Sequence, residues 1–204
     1  MSVILEAAVK NLIRYYKSFD DFLKMQLLII LIINLGWALI IPIVFKMQGL
    51  LWTTSMISFY LILSRATGLL SPYFRNVELK QSYFNLISLD FLYMLSINVY
   101  YFNKECFLYI EALLAVFYSI FFTVFQINYN AYIMSKYETD IYKDMKYCES
   151  AASSIAGMLG YATVIFLEHT IGSSNSIIAF EVILIFAFWL QIYNYKKYYN
   201  VNGL

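Results

Sequence analysis

Residues 26–45 read QLLIILIINLGWALIIPIVF and carry no charged side chain. An α-helix rises about 1.5 Å per residue, so roughly 20 apolar residues cross a hydrocarbon core about 30 Å thick. Inside that core the backbone polar groups must be satisfied within the segment itself, which favours a helix over other structures. This stretch therefore predicts a transmembrane helix.

Further apolar stretches of similar length follow the first. They occupy residues 50–70, 83–102, 107–134, 150–167 and 177–193. Of the 204 residues, 62% are hydrophobic and 13% are charged, whereas soluble domains are about 25% charged. We therefore expect an all-α integral membrane protein, with six transmembrane helices over residues 25–195 and a cytoplasmic tail over residues 196–204.

The distribution of Lys and Arg predicts the orientation. If the amino terminus is cytoplasmic, the outside segments hold only Lys46 and Lys104, and the other basic residues lie inside. Basic residues favour the cytoplasmic side of a membrane, so we expect both termini in the cytoplasm and the protein in the cell (inner or plasma) membrane. The net charge of +1 and the lack of a basic cluster away from the span ends predict no nucleic-acid partner.

Residues 1–24 precede the first span and have an amphipathic pattern. Apolar residues recur there at helical spacing and predict an interfacial helix on the bilayer surface; they are Leu5, Val9, Leu12, Ile13 and Tyr16. We expect Asp20 and Asp21 to break this helix before Phe22 begins the run into the membrane.

Few residues have the chemistry of a metal site or an active site. His169 is the only histidine, and together with Glu168 it makes at most a partial metal site. We expect no metal, no cofactor and no enzymatic activity, because nucleophile-elbow, Walker-loop and paired-histidine motifs are lacking. Cys106 and Cys148 fall at opposite membrane faces on the predicted topology, so both should be free thiols.

Two segments resemble a known family of transporters. The connection between the second and third spans reads GLLSPYFRNVELK over residues 68–80, and residues 146–160 read KYCESAASSIAGMLG after NAYI at 130–133. Gly68 and Arg75 keep the frame of the loop found in major facilitator superfamily transporters, although Pro72 and Tyr73 replace its Asp and Arg. The small-residue helix that ends in Leu-Gly is similar to the pattern in exporters of that family.

The resemblance implies the N-terminal six-helix half of such a transporter. A full member has twelve spans and a substrate cavity between two halves, so this chain would export a small organic compound as a homodimer or with a separate partner half. Its loop at about residues 135–147 divides the spans into three plus three, which suggests an internal repeat. By resemblance, spans one and four border the substrate path, whose candidate residues are Asn34, Trp37, Glu111, Gln126 and Asn128; interhelical hydrogen bonds are the alternative role for the neutral ones.

Asp90 has the most costly position in the chain, near the middle of the third span. A charged side chain there costs about 2.5 to 3.5 kcal/mol on insertion scales. It is either a hydrogen-bonded acid that holds two helices together or a carboxylate that couples transport to protons. Arg65 either extends toward the interface or forms an ion pair with Asp90 or Glu149. We expect Glu111 to lie close enough to the outer end of its span for water to reach it.

The fifth span carries small residues at four-residue spacing. Such a face lets two helix backbones approach closely, either within the chain or at a dimer interface; its members are Ser153, Ala156, Gly157 and Gly160. This face also suggests an alternative function, in which the chain is a non-transporting accessory, immunity or defence protein that binds another membrane protein.

Overall fold

A computed structural model describes residues 13–74, 76–170 and 174–199 of the chain. All regular secondary structure in these ranges is helical, which confirms the predicted all-α class. The α-helices are α1 (Asp21–Leu51), α2 (Thr54–Ala66), α3 (Leu79–Phe102), α4 (Lys104–Lys136), α5 (Thr139–Thr170) and α6 (Ser174–Asn194). A 3₁₀ helix, Thr67–Phe74, continues α2, and a π-helix, Tyr195–Tyr199, continues α6.

The start of α1 is fixed by a side-chain cap. The Asp20 carboxylate accepts a hydrogen bond of 2.9 Å from the backbone N–H of Leu23, which satisfies a donor that the first helical turn leaves unpaired. The predicted break is present at Phe19 and Asp20, whereas Asp21 already belongs to α1. Residues 13–18 are helical, with Ile13 and Tyr16 about half exposed; the rest of the predicted interfacial helix lies outside the described residues.

Among the described residues, four helices are long and apolar enough to cross a membrane, and we conclude that the protein is membrane-embedded. They are Asp21–Leu51, Lys104–Lys136, Thr139–Leu167 and Ile177–Tyr199. The other two predicted spans differ for separate reasons. The second is interrupted, because α2 has only 13 residues before the helix changes to 3₁₀ geometry. The third, α3, has 24 residues, but polar side chains such as Asp90 and Asn98 lower its apolar character.

The main helix contacts follow a regular pattern. Helix α1 packs against α5 and α6, while α4 packs against α3 and against the α2 segment with its 3₁₀ extension. Helix α3 also packs against α6. If α1, α2 and α3 are matched to α4, α5 and α6, the α1–α5 and α1–α6 pairs exchange with the α2–α4 and α3–α4 pairs, and the α3–α6 pair is converted into itself. This is the pattern that a repeat of three helices would produce.

Two clusters of buried residues mark the two ends of the bundle. Phe22, Tyr83 and Tyr199 belong to one cluster, which we call the Tyr199 end. Trp52 and Phe107 belong to the other, which we call the Trp52 end. At the Tyr199 end the ring of Tyr199 stacks on Tyr83 with 4.5 Å between centroids. Because Phe22, Tyr83 and Tyr199 lie near the start of α1, the start of α3 and the end of α6, those three helix ends meet on one side.

Helices α1 and α5 are in close contact at Gly160. A Cβ atom on Gly160 would overlap the Cβ of Ala38 and would lie 3.1 Å from the carbonyl oxygen of Leu35. Ala156, one turn earlier, is fully buried. At Gly157 the nearest atom to an added Cβ is 4.0 Å away, in the side chain of Tyr161. Two of the predicted small residues therefore serve packing within the chain.

Candidate binding cavity

Helices α1, α3, α4, α5 and α6 enclose a cavity of about 320 Å³ toward the Tyr199 end. This volume is at the lower end of the range of ligand sites, about 300 to 1,000 Å³. Its wall combines aromatic rings from α3 and α4, aliphatic side chains from α1, and polar groups from four helices. The polar groups are the amides of Gln26, Asn34, Gln126 and Gln191, the hydroxyls of Ser150 and Ser153, and the charged side chains of Lys146 and Glu149.

Lys146 and Glu149 form an ion pair on the cavity wall. They lie three residues apart on α5, and the Lys146 ammonium donates to Oε2 of Glu149. The same ammonium lies 5.3 Å from the centre of the Tyr129 ring. Among the described residues, Oε1 of Glu149 has no hydrogen-bond partner. Glu149 thus has an ionic partner on its own helix. The Arg65 side chain, for which an ion pair with Asp90 or Glu149 was one of two expected roles, lies outside the described part of the structure.

Three of the amide side chains each donate one N–H group to another group of the protein. Gln26 donates to the Tyr199 hydroxyl at 3.0 Å, Asn34 donates to the Ile30 carbonyl at 2.7 Å, and Gln191 donates to Asp90 at 2.7 Å. An amide that has donated in this way still has its carbonyl oxygen as an acceptor.

Asp90 lies behind the cavity wall and belongs to a polar contact between α3 and α6. Its side chain is only 1% exposed, and its Oδ2 accepts the hydrogen bond from Gln191. Two turns away on α3, the Tyr83 hydroxyl accepts a 3.0 Å hydrogen bond from Asn194. Asp90 therefore joins two helices, as one of the two predicted roles requires, and Gln191 connects it to the cavity. Its coupling to protons stays a prediction.

The predicted path residues divide into those that meet at the cavity and those that do not. Asn34 and Gln126 line it. Trp37 packs against Tyr93 at 5.1 Å and lines an adjoining groove between α1 and α5, which Asn34 and Ser153 also line. Asn128 instead donates to the backbone carbonyl of Val77 at 2.7 Å, so it anchors the chain just before α3.

Glu111 lies away from the cavity, on the half of α4 nearest the Trp52 end. It is only 5% exposed, so the expectation that water reaches it is wrong: neighbouring helices cover it. Among the described residues, its Oε2 has no hydrogen-bond partner, and neither do the Tyr93 hydroxyl and the amide group of Gln48. Glu111 is therefore a buried acid of the core.

Several cavity residues were not predicted from the sequence. Gln26 and Gln191 are uncharged polar residues at the edges of apolar stretches, and that position is a signal that could have singled them out. Lys146 and Tyr129 gave no such signal, because a lysine beside a span end is explained by topology and a tyrosine by interface anchoring. Their roles depend on the meeting of α4 and α5.

Both cysteines are free thiols, as predicted, with Cys106 exposed and Cys148 buried. Comparison with known proteins found no family, no curated protein and no solved structure that matches the chain.

Proposed function

We propose that the chain is a half-size secondary transporter of the major facilitator type, which exports a small organic compound as a homodimer or with a partner half. The observation that carries this proposal is the concentration of amides, hydroxyls and an ion pair around one cavity in a bundle of apolar helices. Polar and ionisable side chains are costly inside a membrane and mark substrate or ion pathways.

The proposal includes six crossings of the membrane. The lengths of the helices support the two crossings, α2 and α3, that are not among the four long apolar helices. Helix α2 and its 3₁₀ extension form one continuous helical segment, Thr54–Phe74, whose length is roughly 36 Å at about 1.5 and 2.0 Å per residue. Helix α3 runs beside α4 for a similar distance. Val77 contacts Asn128 before α3 begins, and Tyr100 contacts Phe107 at 5.6 Å at the other end. The α2–α3 connection would then lie at the Tyr199 end.

A second six-helix unit would cover the groove between α1 and α5. Asn34 and Ser153 line both this groove and the cavity, so the two spaces share polar side chains that lipid would not solvate. A two-fold dimer is the commonest symmetric assembly and would cover two such grooves at once. The substrate path would then run between the two copies.

Asp90 is the proposed proton site. Its carboxylate accepts from Gln191, and Gln191 also lines the cavity. A hydrogen bond to an ionised carboxylate is stronger than one to a neutral acid. Protonation of Asp90 would therefore weaken its hydrogen bond with Gln191. Proton binding and ligand binding would then both act on the Gln191 side chain.

Reconstitution into proteoliposomes tests the proposal. A proton gradient is imposed across vesicles that contain a mixed set of small amphipathic compounds, and the retained compounds are quantified by mass spectrometry. We expect one or more compounds to redistribute against their gradients, with the effect lost on addition of a protonophore and in protein-free vesicles. If a folded protein moves no compound and purifies in mild detergent with a foreign membrane protein, the accessory function replaces transport. The mass of the purified complex separates a homodimer from a partner half.

A further inference from the structure

Three amides on the cavity wall already have a partner within the protein. One N–H group of each of Gln26, Asn34 and Gln191 donates to a protein oxygen. For Asn34 and Gln191 the acceptor is a carbonyl or a carboxylate, so the orientation of the amide is determined by its partner. Each of these amides keeps its carbonyl oxygen as an acceptor and its second N–H group as a donor.

Two of the remaining acceptors are unpaired. Among the described residues, Oε1 of Gln191 and Oε1 of Glu149 both lack a hydrogen-bond partner, and both side chains line the cavity. The Tyr129 hydroxyl, which also lacks a partner in that part of the chain, lies beside Glu149 and would compete with a ligand for its oxygen. The Gln191 side chain is 99% buried, since its exposed fraction is 1%. A buried acceptor without a donor is costly, so a ligand that supplies N–H groups would be stabilised here.

The aromatic wall favours positive charge. Tyr83, Tyr118, Phe122, Phe125 and Tyr129 line the cavity, and the faces of such rings attract cations. The Lys146 ammonium already lies 5.3 Å from the centre of the Tyr129 ring. A cationic group of the protein therefore occupies a position that a ligand cation could take.

We propose that this cavity binds an organic cation, an ammonium or amidinium group on a flat apolar body. The inference rests on the proposed function, because it names the class of compound that the transport site takes. The head group donates to Oε1 of Glu149 and to Oε1 of Gln191, and the apolar body lies against Phe122 and Phe125. Lys146 competes with the ligand, since its ammonium holds the other oxygen of Glu149.

Three isosteric probes test the charge preference. Benzamidine, benzamide and benzoate share one ring and carry a cationic, a neutral and an anionic head group of the same shape. Each is titrated by equilibrium dialysis against the full chain in lipid nanodiscs. We expect benzamidine to bind at least tenfold more tightly than benzamide and benzoate, because hydrogen bonds to a charged partner are worth about one such factor or more.

Two substitutions on α5 should act in opposite directions. Glu149→Gln keeps the shape of the side chain and removes its charge, so benzamidine affinity should fall about tenfold while benzamide affinity stays the same. Lys146→Gln removes the competing ammonium, so benzamidine affinity should rise. Asp140→Asn is the matched control on the same helix, because its side chain is 92% exposed, and it should change neither affinity. Loss of folding cannot imitate a gain in one variant and a loss in the other.

The results separate this inference from the transport proposal. Benzoate as the tightest ligand, or weaker benzamidine binding in Lys146→Gln, would overturn the cation site, and so would equal affinities for all three probes. Flux of a neutral or anionic compound with no benzamidine binding would keep transport and exclude the cation site. Specific benzamidine binding without proton-driven uptake of labelled benzamidine or any other compound in proteoliposomes would keep the site and exclude transport.

Discussion

Gln191 on α6 donates its amide N–H to the carboxylate of Asp90 on α3, with 2.7 Å between the nitrogen and Oδ2. This bond joins a residue of the cavity wall to an acid that is almost fully buried. It makes Asp90 both a link between helices and a candidate proton site, and the two roles predict different effects of substitution.

Asp90→Asn and Asp90→Ala should separate those roles. Asn keeps an oxygen that accepts from Gln191, so it should cost less than about 1 kcal/mol of stability, whereas Ala leaves the buried amide unpaired and should cost about 1 to 3 kcal/mol. Thermal unfolding in detergent measures both values. If Asp90 couples protons, Asp90→Asn should abolish proton-driven transport and spare exchange of substrate across the membrane. Unchanged proton-driven transport in this variant would exclude the coupling role.

Gly160→Ala should destabilise the protein by about 1 to 3 kcal/mol, because its new methyl group would overlap Ala38 on α1 and closely packed cores do not expand without strain. Gly157→Ala is the control. That position has room for a Cβ, and Ala is favoured over Gly in a helix by up to about 1 kcal/mol. The midpoint of thermal unfolding should fall for the first variant and stay level or rise for the second.

A second substitution refines the same experiment. Ala38→Gly in the Gly160→Ala background removes the overlapping methyl group but leaves the Leu35 carbonyl close by. We therefore expect partial recovery of stability. No recovery would mean that Ala38 is not the residue that limits the approach of α1 and α5.

Tyr137→Phe should cost about 0.5 to 1.5 kcal/mol, because the Tyr137 hydroxyl donates to Oδ2 of Asp20 at 2.7 Å. Asp20→Ala should cost about 1 kcal/mol more, since it also removes the cap of α1. Burial raises the pKa of Tyr137, and the hydrogen bond to Asp20 and its charge raise it further. The hydroxyl therefore stays protonated, and the bond should contribute fully at pH values below the usual tyrosine value of about 10.

The pH dependence gives the check on this contact. A raised pKa in the folded protein means that the stabilisation declines only when the pH rises above about 10 and through the higher pKa. The difference in unfolding free energy between the parent protein and Tyr137→Phe should thus be constant from neutral pH to about pH 9. A difference that disappears within that range would contradict the hydrogen bond between Tyr137 and Asp20.

Asn76→Cys tests whether α2 and α3 cross the membrane. Asn76 is exposed in the α2–α3 connection. If all six helices cross the membrane, Asn76 lies on the cytoplasmic side. If only four helices cross and α2 and α3 do not, Asn76 lies on the outer side. The variant is made with Cys106→Ser and Cys148→Ala and treated with a membrane-impermeant maleimide. We expect labelling in inside-out vesicles only. Cys106, which is exposed, provides the opposite reference when it is kept as the only cysteine.

Sequence alone was sufficient for the helical class because apolar character over about 20 residues is a local property. It was insufficient for the second span. The apolar stretch over residues 50–70 contains Trp52 and Thr53, where the chain leaves helical geometry, and Gly68, which lies in the 3₁₀ segment. An average over the stretch hides such local changes. The Asp20 cap, in contrast, was predictable because it depends on residues only three positions apart.

The cavity was predictable only in part, because its contacts join residues far apart in the chain. Asn34 and Gln126 were selected by their polarity and by the resemblance. The partners of Gln26 and Asn128, which are Tyr199 and Val77, lie 173 and 51 positions away, and no local pattern indicates them. The prediction that water reaches Glu111 was wrong for the same reason, because the position of a residue along one helix does not reveal how other helices cover it.

The π-helix over Tyr195–Tyr199 supports the cavity wall from behind, because the ring of Tyr199 stacks on Tyr83 and its hydroxyl accepts a hydrogen bond from the Gln26 amide. A deletion that starts before Tyr195 would strip these supports from two wall residues. A bulky reporter fused immediately after Tyr199 would pull on the same anchor. Purification and imaging handles therefore belong at the other terminus or behind a flexible spacer, or inactivity caused by the handle will be mistaken for inactivity of the protein.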